Sequence, residues 1–252
     1  MSALILRASG VLSNPLPGTP VIPDIETDLY FDFRASDLVG TVADGASVTN
    51  WVGRGPAPEV NRTLSTVLSG WTAPVFDING GPGGTPTVSF NGIHSLRTVV
   101  ASPAPFSGPF SVALVCSGTT QAASAAQNRS RIFSGTTPNP FGIFPNHNGE
   151  LQLSPPGSGG PVRPNPGGHF AIVTVFNGAN SLWAAGDGEA EPATISTFTG
   201  FDGFGLGSNI NPYADGVFGL KGTVTRVIMY RRALSASDVN GLMEQLRDEH
   251  GV

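Results

Sequence analysis

At 252 residues, the chain is long enough for one large β domain or two small ones. Its net charge is −5 and only 12% of its residues are charged, so electrostatics give no reason to expect nucleic-acid binding. Glycine and proline are abundant, but 39% of the residues are hydrophobic, which favours a globular fold with many turns over a disordered chain.

The first 26 residues are predicted to form an extended N-terminal arm. The apolar run in Met1–Arg7 is too short for a signal peptide, and no stretch of the chain approaches the length of a membrane span. The prolines that follow forbid a helix and favour an extended backbone. A frayed terminus and an arm that docks on a neighbouring subunit both remain open, and we adopt the docked arm as the prediction.

Alternating apolar residues predict strands in the first half of the chain. Leu29–Phe33 and Phe110–Cys116 each place their large side chains on one face. Cys116 is the single cysteine, so no internal disulfide can form, and we expect its side chain to be buried. Residues 53–86 are rich in glycine and proline, so we expect long surface loops there, with one short strand near Val75–Ile78.

The second half contains the strand that is most apolar on both faces, His169–Phe176, which is predicted to be central in a sheet. A tight turn then leads into a returning strand at Ser181–Ala185. Residues 154–168 are expected to be an exposed loop within one domain. Further short strands are expected at Pro86–Phe90, Arg131–Ser134, Phe141–Phe144, Glu150–Leu153 and Phe201–Leu206.

A strand and a helix are predicted to end the chain. The strand, Gly222–Tyr230, is expected to place Val224, Ile228 and Tyr230 on one face and Val227 and Met229 on the other. Four apolar residues then follow at helical spacing: Val239, Leu242, Met243 and Leu246. Ser235 is the expected N-cap, with Asp238 in the first turn and Gly251 at the stop.

This ending resembles the closing signature of laminin-G-like domains in the concanavalin A-like lectin/glucanase superfamily. The shared residues are Phe218-x-Gly, Thr225-Arg-Val-Ile-Met-Tyr, Arg-Ala-Leu-Ser235 and Asp238-Val. The strand, turn and strand around Trp183 also resemble the family pattern. The resemblance implies an all-β, concanavalin A-like jelly-roll β-sandwich over residues 27–252, with one short C-terminal helix after the extended N-terminal arm.

The catalytic patterns that we sought are missing from the sequence. Glucanases that resemble this fold use a Glu-x-Asp-x-x-Glu strand, and the nearest match, Glu189-Ala-Glu191, is expected to lie in a loop. Gly-x-Ser-x-Gly is absent, and Gly80–Gly84 lacks the lysine and hydroxyl residue of a phosphate loop. We therefore expect a chain that is not an enzyme, with no catalytic residues and no cofactor.

Two kinds of ligand remain in consideration at the loops of one rim. A glycan site needs an aromatic platform beside hydrogen-bonding groups. Its candidates are Trp183, Asp187, Asn209, Asn211, Tyr213 and Asp215. The oxygen-bearing members of this set could also bind calcium, but such residues usually cap their own turns, so no metal site is predicted. A half-buried position in the sandwich is the alternative for Trp183.

Two functions are compatible with these observations. The first is a non-enzymatic bacteriophage virion protein of the tail or capsid decoration, which contacts other virion subunits through the arm and host-surface glycans through the rim. The second is a soluble, lectin-like carbohydrate-binding module of a bacterial glycan-processing system. A homo-oligomer is expected in the first case. The first interpretation is the prediction, although a fold does not fix a function.

Overall fold

The computed structural model describes residues 28–66, 70–98, 108–118, 131–135, 141–145, 148–154, 160–195, 203–207 and 220–252. The predicted arm lies outside these residues, so the arm and its boundary at residue 27 stay predictions. No helix in the described part of the chain is long and apolar enough to cross a membrane.

The described residues form sixteen strands and one α-helix. The first eight strands are β1 (Leu29–Arg34), β2 (Trp51–Val52), β3 (Thr63–Thr66), β4 (Val75–Asp77), β5 (Thr87–Asn91), β6 (Leu96–Thr98), β7 (Phe110–Gly118) and β8 (Phe133–Gly135). The other eight are β9 (Gly142–Pro145), β10 (Glu150–Ser154), β11 (Val162–Pro164), β12 (His169–Phe176), β13 (Ser181–Ala185), β14 (Glu191–Ala193), β15 (Phe204–Leu206) and β16 (Lys221–Tyr230). Helix α1 spans Ala236–His250.

The strands make two antiparallel sheets that pack face to face. The first sheet has the order β14-β13-β12-β7-β16-β5-β4, and β1 pairs with the second half of β16. The order of the second sheet is β11-β10-β9-β8-β15-β6-β3-β2. The prediction of an all-β sandwich with a single short C-terminal helix is confirmed for the described residues.

The main core lies between the sheets and is rich in aromatic rings. The alternation predicted for β7 is correct: Phe110, Val112, Leu114 and Cys116 all point into this core. Phe204 stacks against Phe133 at a ring separation of 5.7 Å. Burial raises the pKa of the Cys116 thiol to about 12, as expected for a thiol in apolar surroundings.

Strand β16 differs from its predicted facing because its register against β7 shifts between Val224 and Arg226. This bulge places one extra residue in β16, so the side chains on either side of it no longer alternate simply. Val224 therefore points into the main core with Val227 and Met229, and the prediction that it shares a face with Ile228 and Tyr230 is wrong.

Helix α1 covers the outer face of the first sheet. Val239, Leu242, Met243 and Leu246 are buried there against the outward side chains of β7, β12 and β16. Ser235 and Asp238 form a reciprocal capping box, and Gly251 ends the helix in the left-handed conformation with φ 66°. These sequence-based predictions are confirmed.

A buried ion pair ties the two ends of the domain together. Arg226 in β16 and Asp32 in β1 are both 2% exposed, and the guanidinium donates to the two carboxylate oxygens at 3.0 and 2.9 Å. Glu249 near the end of α1 accepts a third bond from Arg226 at 2.6 Å. Burial opposes the charged form, but the bonds to Asp32 and the nearby carboxylates outweigh it and raise the pKa of Arg226.

Four short strands lie in segments that were predicted to be loops or were not assigned to an element. β3 and β6 belong to the second sheet although residues 53–86 were expected to be mostly loop and Leu96–Thr98 was not assigned. β11 lies within the expected loop at residues 154–168, and Glu191 belongs to β14 rather than to a loop. Each of these strands pairs with a neighbour, and this pairing is what defines them.

Candidate functional site

One end of the sandwich, which we call the upper rim, collects several elements that bear polar side chains. Lys221 at the start of β16 pairs with Asn91 at the end of β5, and His169 at the start of β12 pairs with Ser117 near the end of β7. The amide of Gly186, just after β13, donates to Ala171 in β12. The antiparallel order therefore brings these strand ends to the same edge.

The predicted glycan residues are only partly within the described chain. Trp183 and Asp187 are described, whereas Asn209, Asn211, Tyr213 and Asp215 lie outside the described residues. Gly207 and Leu220, which flank that segment, are joined by a backbone hydrogen bond of 2.8 Å, and Leu220 also accepts from Gly92 at 2.8 Å. The described residues on either side of that segment therefore lie together at the upper rim.

Trp183 is 2% exposed and points into the core between the sheets. The guanidinium of Arg163 in β11 lies over its ring, 5.1 Å from the centroid. The same Arg163 forms an ion pair of 2.6 Å with Glu191 in β14. Arg163 thus joins the edges of the two sheets and covers the indole face, in agreement with the sandwich alternative. A sugar-stacking role for Trp183 stays a prediction.

Asp187 is fully exposed at the turn after β13. Its carboxylate lies 3.9 Å from Arg247 of α1, and Arg247 also donates to the Gly186 carbonyl at 3.1 Å. An exposed pair at this distance holds the carboxylate only weakly. The described residues contain no group of three histidine, cysteine, aspartate or glutamate side chains placed to hold a metal ion.

A row of three hydrogen-bonded side chains crosses the outer face of the first sheet beside the upper rim. His169 Nε2 lies 2.9 Å from Thr223 Oγ1, which lies 2.9 Å from Ser117 Oγ. The Thr223 amide donates to Ser117 Oγ at 3.0 Å. Burial lowers the pKa of His169, which favours the neutral imidazole, and its Nε2 can then accept a hydrogen bond from the Thr223 hydroxyl.

A surface pocket of about 390 Å³ lies beside β2. Its lining residues are far in sequence from the predicted glycan residues. It is lined by Asp37, Leu38, Thr41, Val42, Ser47, Thr49, Asn50 and Val52. The lining combines one carboxylate, one amide and three hydroxyls with three aliphatic side chains. The Asp37 carboxylate accepts from Arg54, whose pKa is raised by that hydrogen bond and by the charge of Asp37.

The pocket is formed by local backbone structure after β1. A short 3-10 helix at Ala35–Leu38 follows the strand, and the amides of Thr41 and Val42 donate back to Leu38. Val48 and Trp51 are fully buried, so they anchor the segment and leave Thr49, Asn50 and Val52 on the surface. The sequence analysis missed this pocket, because nothing in residues 37–52 matches a known catalytic or binding motif.

Comparisons with known proteins place the fold. No protein-family model and no curated protein sequence matches the chain. Among solved structures, a Trypanosoma rangeli sialidase in complex with 2,3-difluoro-KDN has a TM-score of 0.57 at 14% identity, and the match covers 92% of this chain and 36% of that chain.

Two further similar structures are complexes with sugars that contain arabinose. Domain 4 of AbnA, a GH43 extracellular arabinanase from Geobacillus stearothermophilus solved with arabinotriose, matches at a TM-score of 0.50 and 15% identity, over 86% of this chain and 98% of that chain. An arabinofuranosidase complexed with arabinofuranosyl-α-1,2-xylobiose matches at a TM-score of 0.63 and 11% identity, and the match covers 89% of this chain and 60% of that chain. These likenesses show the fold, and this chain spans about a third of the sialidase chain.

The prediction that the chain is not an enzyme is contradicted by these neighbours, which are all from glycoside hydrolases. That prediction relied on the absence of the Glu-x-Asp-x-x-Glu strand of one group of glucanases. Glycoside hydrolases include members with other catalytic residues, sialidases with a tyrosine nucleophile among them. The absence of one motif therefore could not exclude enzymes.

Proposed function

We propose that this chain is a glycan-binding β-sandwich domain of a carbohydrate-active enzyme. The observation that carries the proposal is the 390 Å³ pocket beside β2, where hydrogen-bonding and aliphatic side chains line one cavity. Sugars present polar edges and apolar C–H faces, so they need both kinds of group. The fold shared with an arabinanase domain solved with arabinotriose supports the proposal.

In this proposal each part of the pocket has a separate role. Asp37, held by Arg54, accepts hydrogen bonds from sugar hydroxyls, and the exposed amide of Asn50 both donates and accepts. Val52, which is 39% exposed, contacts the C–H face of the sugar. The volume is at the small end of the range for ligand sites, about 300–1,000 Å³, so the expected ligand is a short oligosaccharide.

Titration calorimetry with arabinotriose, xylobiose and sialic acid tests the proposal. We expect the chain to bind at least one neutral sugar and the Asn50→Ala variant to lose about tenfold in affinity, because a hydrogen-bonding side chain is removed from the lining of the pocket. Asn180→Ala, in the exposed turn before β13, is the matched control and should bind as the parent chain does. Absence of binding to all three sugars contradicts the proposal.

Three finer sequence-based statements are separate proposals. A laminin-G-like domain type, a place on a bacteriophage virion and assembly through residues 1–26 follow from the sequence resemblance and composition alone. The structural neighbours give no support to the phage context. Light scattering of the full chain and of a variant lacking residues 1–26 tests the arm: an oligomer that becomes a folded monomer supports it, and two folded monomers contradict it.

A further inference from the structure

The three tryptophans of the chain have different environments. All three are described, and Trp51 and Trp183 are buried at 0% and 2% exposure. Trp71, between β3 and β4, is partly exposed. Burying an indole usually gains more than leaving it in water, so a partly exposed tryptophan on a domain with a well-filled core requires its own explanation.

The backbone that follows Trp71 is hydrogen-bonded to the turn that contains Ile93. The amide of Thr72 donates to the Ile93 carbonyl at 3.0 Å, which brings the two backbones side by side. The amide of Ser95 donates back to Thr72 at 3.1 Å, and the Asn91 side chain accepts from the Ile93 amide at 3.1 Å. Ile93 is 46% exposed, so a fixed turn presents a large aliphatic side chain to solvent.

Polar groups border this pair. Asn91 and Lys221 are exposed and pair with each other across β5 and β16. Gly92, between Asn91 and Ile93, has φ 100°, and a Cβ there would lie 3.1 Å from the Lys221 side chain. Because this conformation strains any other residue, glycine allows the turn and the lysine to approach closely. Gly92 also donates to Leu220, which flanks the segment that contains Asn209–Asp215.

We propose that Trp71 and Ile93 form a platform on which a neutral sugar ring stacks, with Asn91 and Lys221 at its polar edge. This inference builds on the proposed glycan-binding function and adds a contact site separate from the pocket beside β2. An indole ring and hydrogen-bonding side chains are the groups that the C–H face and hydroxyl edge of a sugar require.

The size of the surface favours a sugar over a protein partner. A stable protein interface buries about 800 Å² on each partner and has several apolar anchors. In the described part of the chain, the other large hydrophobic residues with comparable exposure are Val39, Val52, Val60 and Val162, and each belongs to a segment other than those of Trp71 and Ile93. Two adjacent side chains suit one sugar ring, and the fixed turn lowers the entropic cost of binding it.

Tryptophan fluorescence during titration with arabinotriose and xylobiose tests the platform. Two of the three indoles are already buried, so a sugar that covers Trp71 should shift the emission to shorter wavelength. We expect Trp71→Ala to abolish this shift and to lower affinity about tenfold, whereas Trp71→Phe, which keeps an aromatic face, retains most of the affinity. Circular dichroism of each variant checks that the sandwich is intact.

A matched pair of aliphatic substitutions separates the platform from general surface effects. Ile93 and Val162 are both 46% exposed, so each substitution by alanine removes a similarly exposed side chain. Ile93→Ala should weaken binding and Val162→Ala should not. Calorimetric binding that is unchanged in Trp71→Ala and Ile93→Ala overturns the platform and leaves glycan binding in place. If the parent chain binds neither of these two sugars, the platform fails, and the proposed function fails as well if sialic acid also does not bind.

Discussion

The outer face of the first sheet has two halves that differ in what covers them. Under helix α1, the strands β7, β12 and β16 present Val115, Ala171 and Ile228, all buried. Towards the upper rim, beyond the end of the helix, the same three strands present Ser117, His169 and Thr223, which are partly exposed. Along β7 and β12, the outward side chains thus change from apolar to polar within two residues. The apolar ones lie where helix α1 covers the sheet.

The comparison indicates a division of roles. The covered half packs a helix onto the sheet and stabilises the fold, and the neighbouring ion pair between β1, β16 and the end of α1 adds to it. The pocket beside β2 and the platform at the upper rim are formed by residues outside α1. Substitutions in the covered half should therefore change stability, and substitutions outside it should change binding.

The largest effect is expected from breaking the buried ion pair. Asp32→Ala leaves the Arg226 guanidinium buried with Glu249 as its remaining carboxylate. We expect a loss of about 4 kcal/mol in the free energy of unfolding, since the two guanidinium donors that bonded Asp32 are left buried without that partner. Urea unfolding followed by circular dichroism measures it. A loss below about 1 kcal/mol would show that the pair is weak, as exposed pairs are.

A slightly smaller effect is expected from a cavity beneath the helix. Leu242 is fully buried against the outer face of the first sheet. Leu242→Ala should cost about 3 kcal/mol, from lost burial and the cavity that remains. The affinity for arabinotriose, measured at a temperature where the variant is folded, should not change. An unchanged unfolding midpoint would contradict the assignment of this half to stability.

The helix cap should contribute about 1 kcal/mol, measured as the loss on Ser235→Ala in urea unfolding. Ser237→Ala is the matched control. Ser237 is exposed in the first turn, and the capping hydrogen bonds join Asp238 to Ser235 rather than to Ser237. Partial burial of Asp238 tends to raise the pKa of its carboxyl group. The hydrogen bonds from Ser235 and Arg232 outweigh this effect, so the pKa of Asp238 is lowered.

The lowered pKa of Asp238 gives the cap a defined pH dependence. Its contribution is complete above the pKa that Asp238 has in the unfolded chain, and it is lost as the pH falls through the lower folded value. The stability difference between the parent chain and Asp238→Asn should therefore shrink on acidification. A difference that grows with acid would have the wrong sign.

The smallest effect is expected in the uncovered half. Thr223→Val removes a hydroxyl that bonds His169 and Ser117, but solvent can reach these groups. We expect a loss below about 1 kcal/mol, since water replaces the missing partner. A loss as large as that of Leu242→Ala would remove the contrast between the two halves.

Much of the fold could be predicted from the sequence, where a single segment carries its own pattern. β7 and β12 are long apolar runs, and α1 has four apolar residues at helical spacing with a cap at Ser235. Short strands such as β11 and β14 were missed, because three residues have too few positions for a period and are defined by their partners. The bulge beside Val224 also has no local signal, since Thr225 is an ordinary strand residue.

The sites were harder to predict because exposure depends on residues that are distant in sequence. Trp183 is the predicted aromatic platform, and no pattern around it indicates that Arg163, twenty residues earlier, lies over its ring. Trp71 lies in a segment rich in glycine and proline, and the hydrogen bond from the next residue, Thr72, to Ile93 places it at the rim.

Hydrogen exchange of the full chain, with and without saturating arabinotriose, tests the division of roles most directly. Bound sugar should slow exchange in peptides that cover residues 37–52, 70–74 and 91–95, while those from α1, residues 236–250, stay unchanged. Protection confined to α1, or protection in none of these peptides although calorimetry shows binding, would contradict the account.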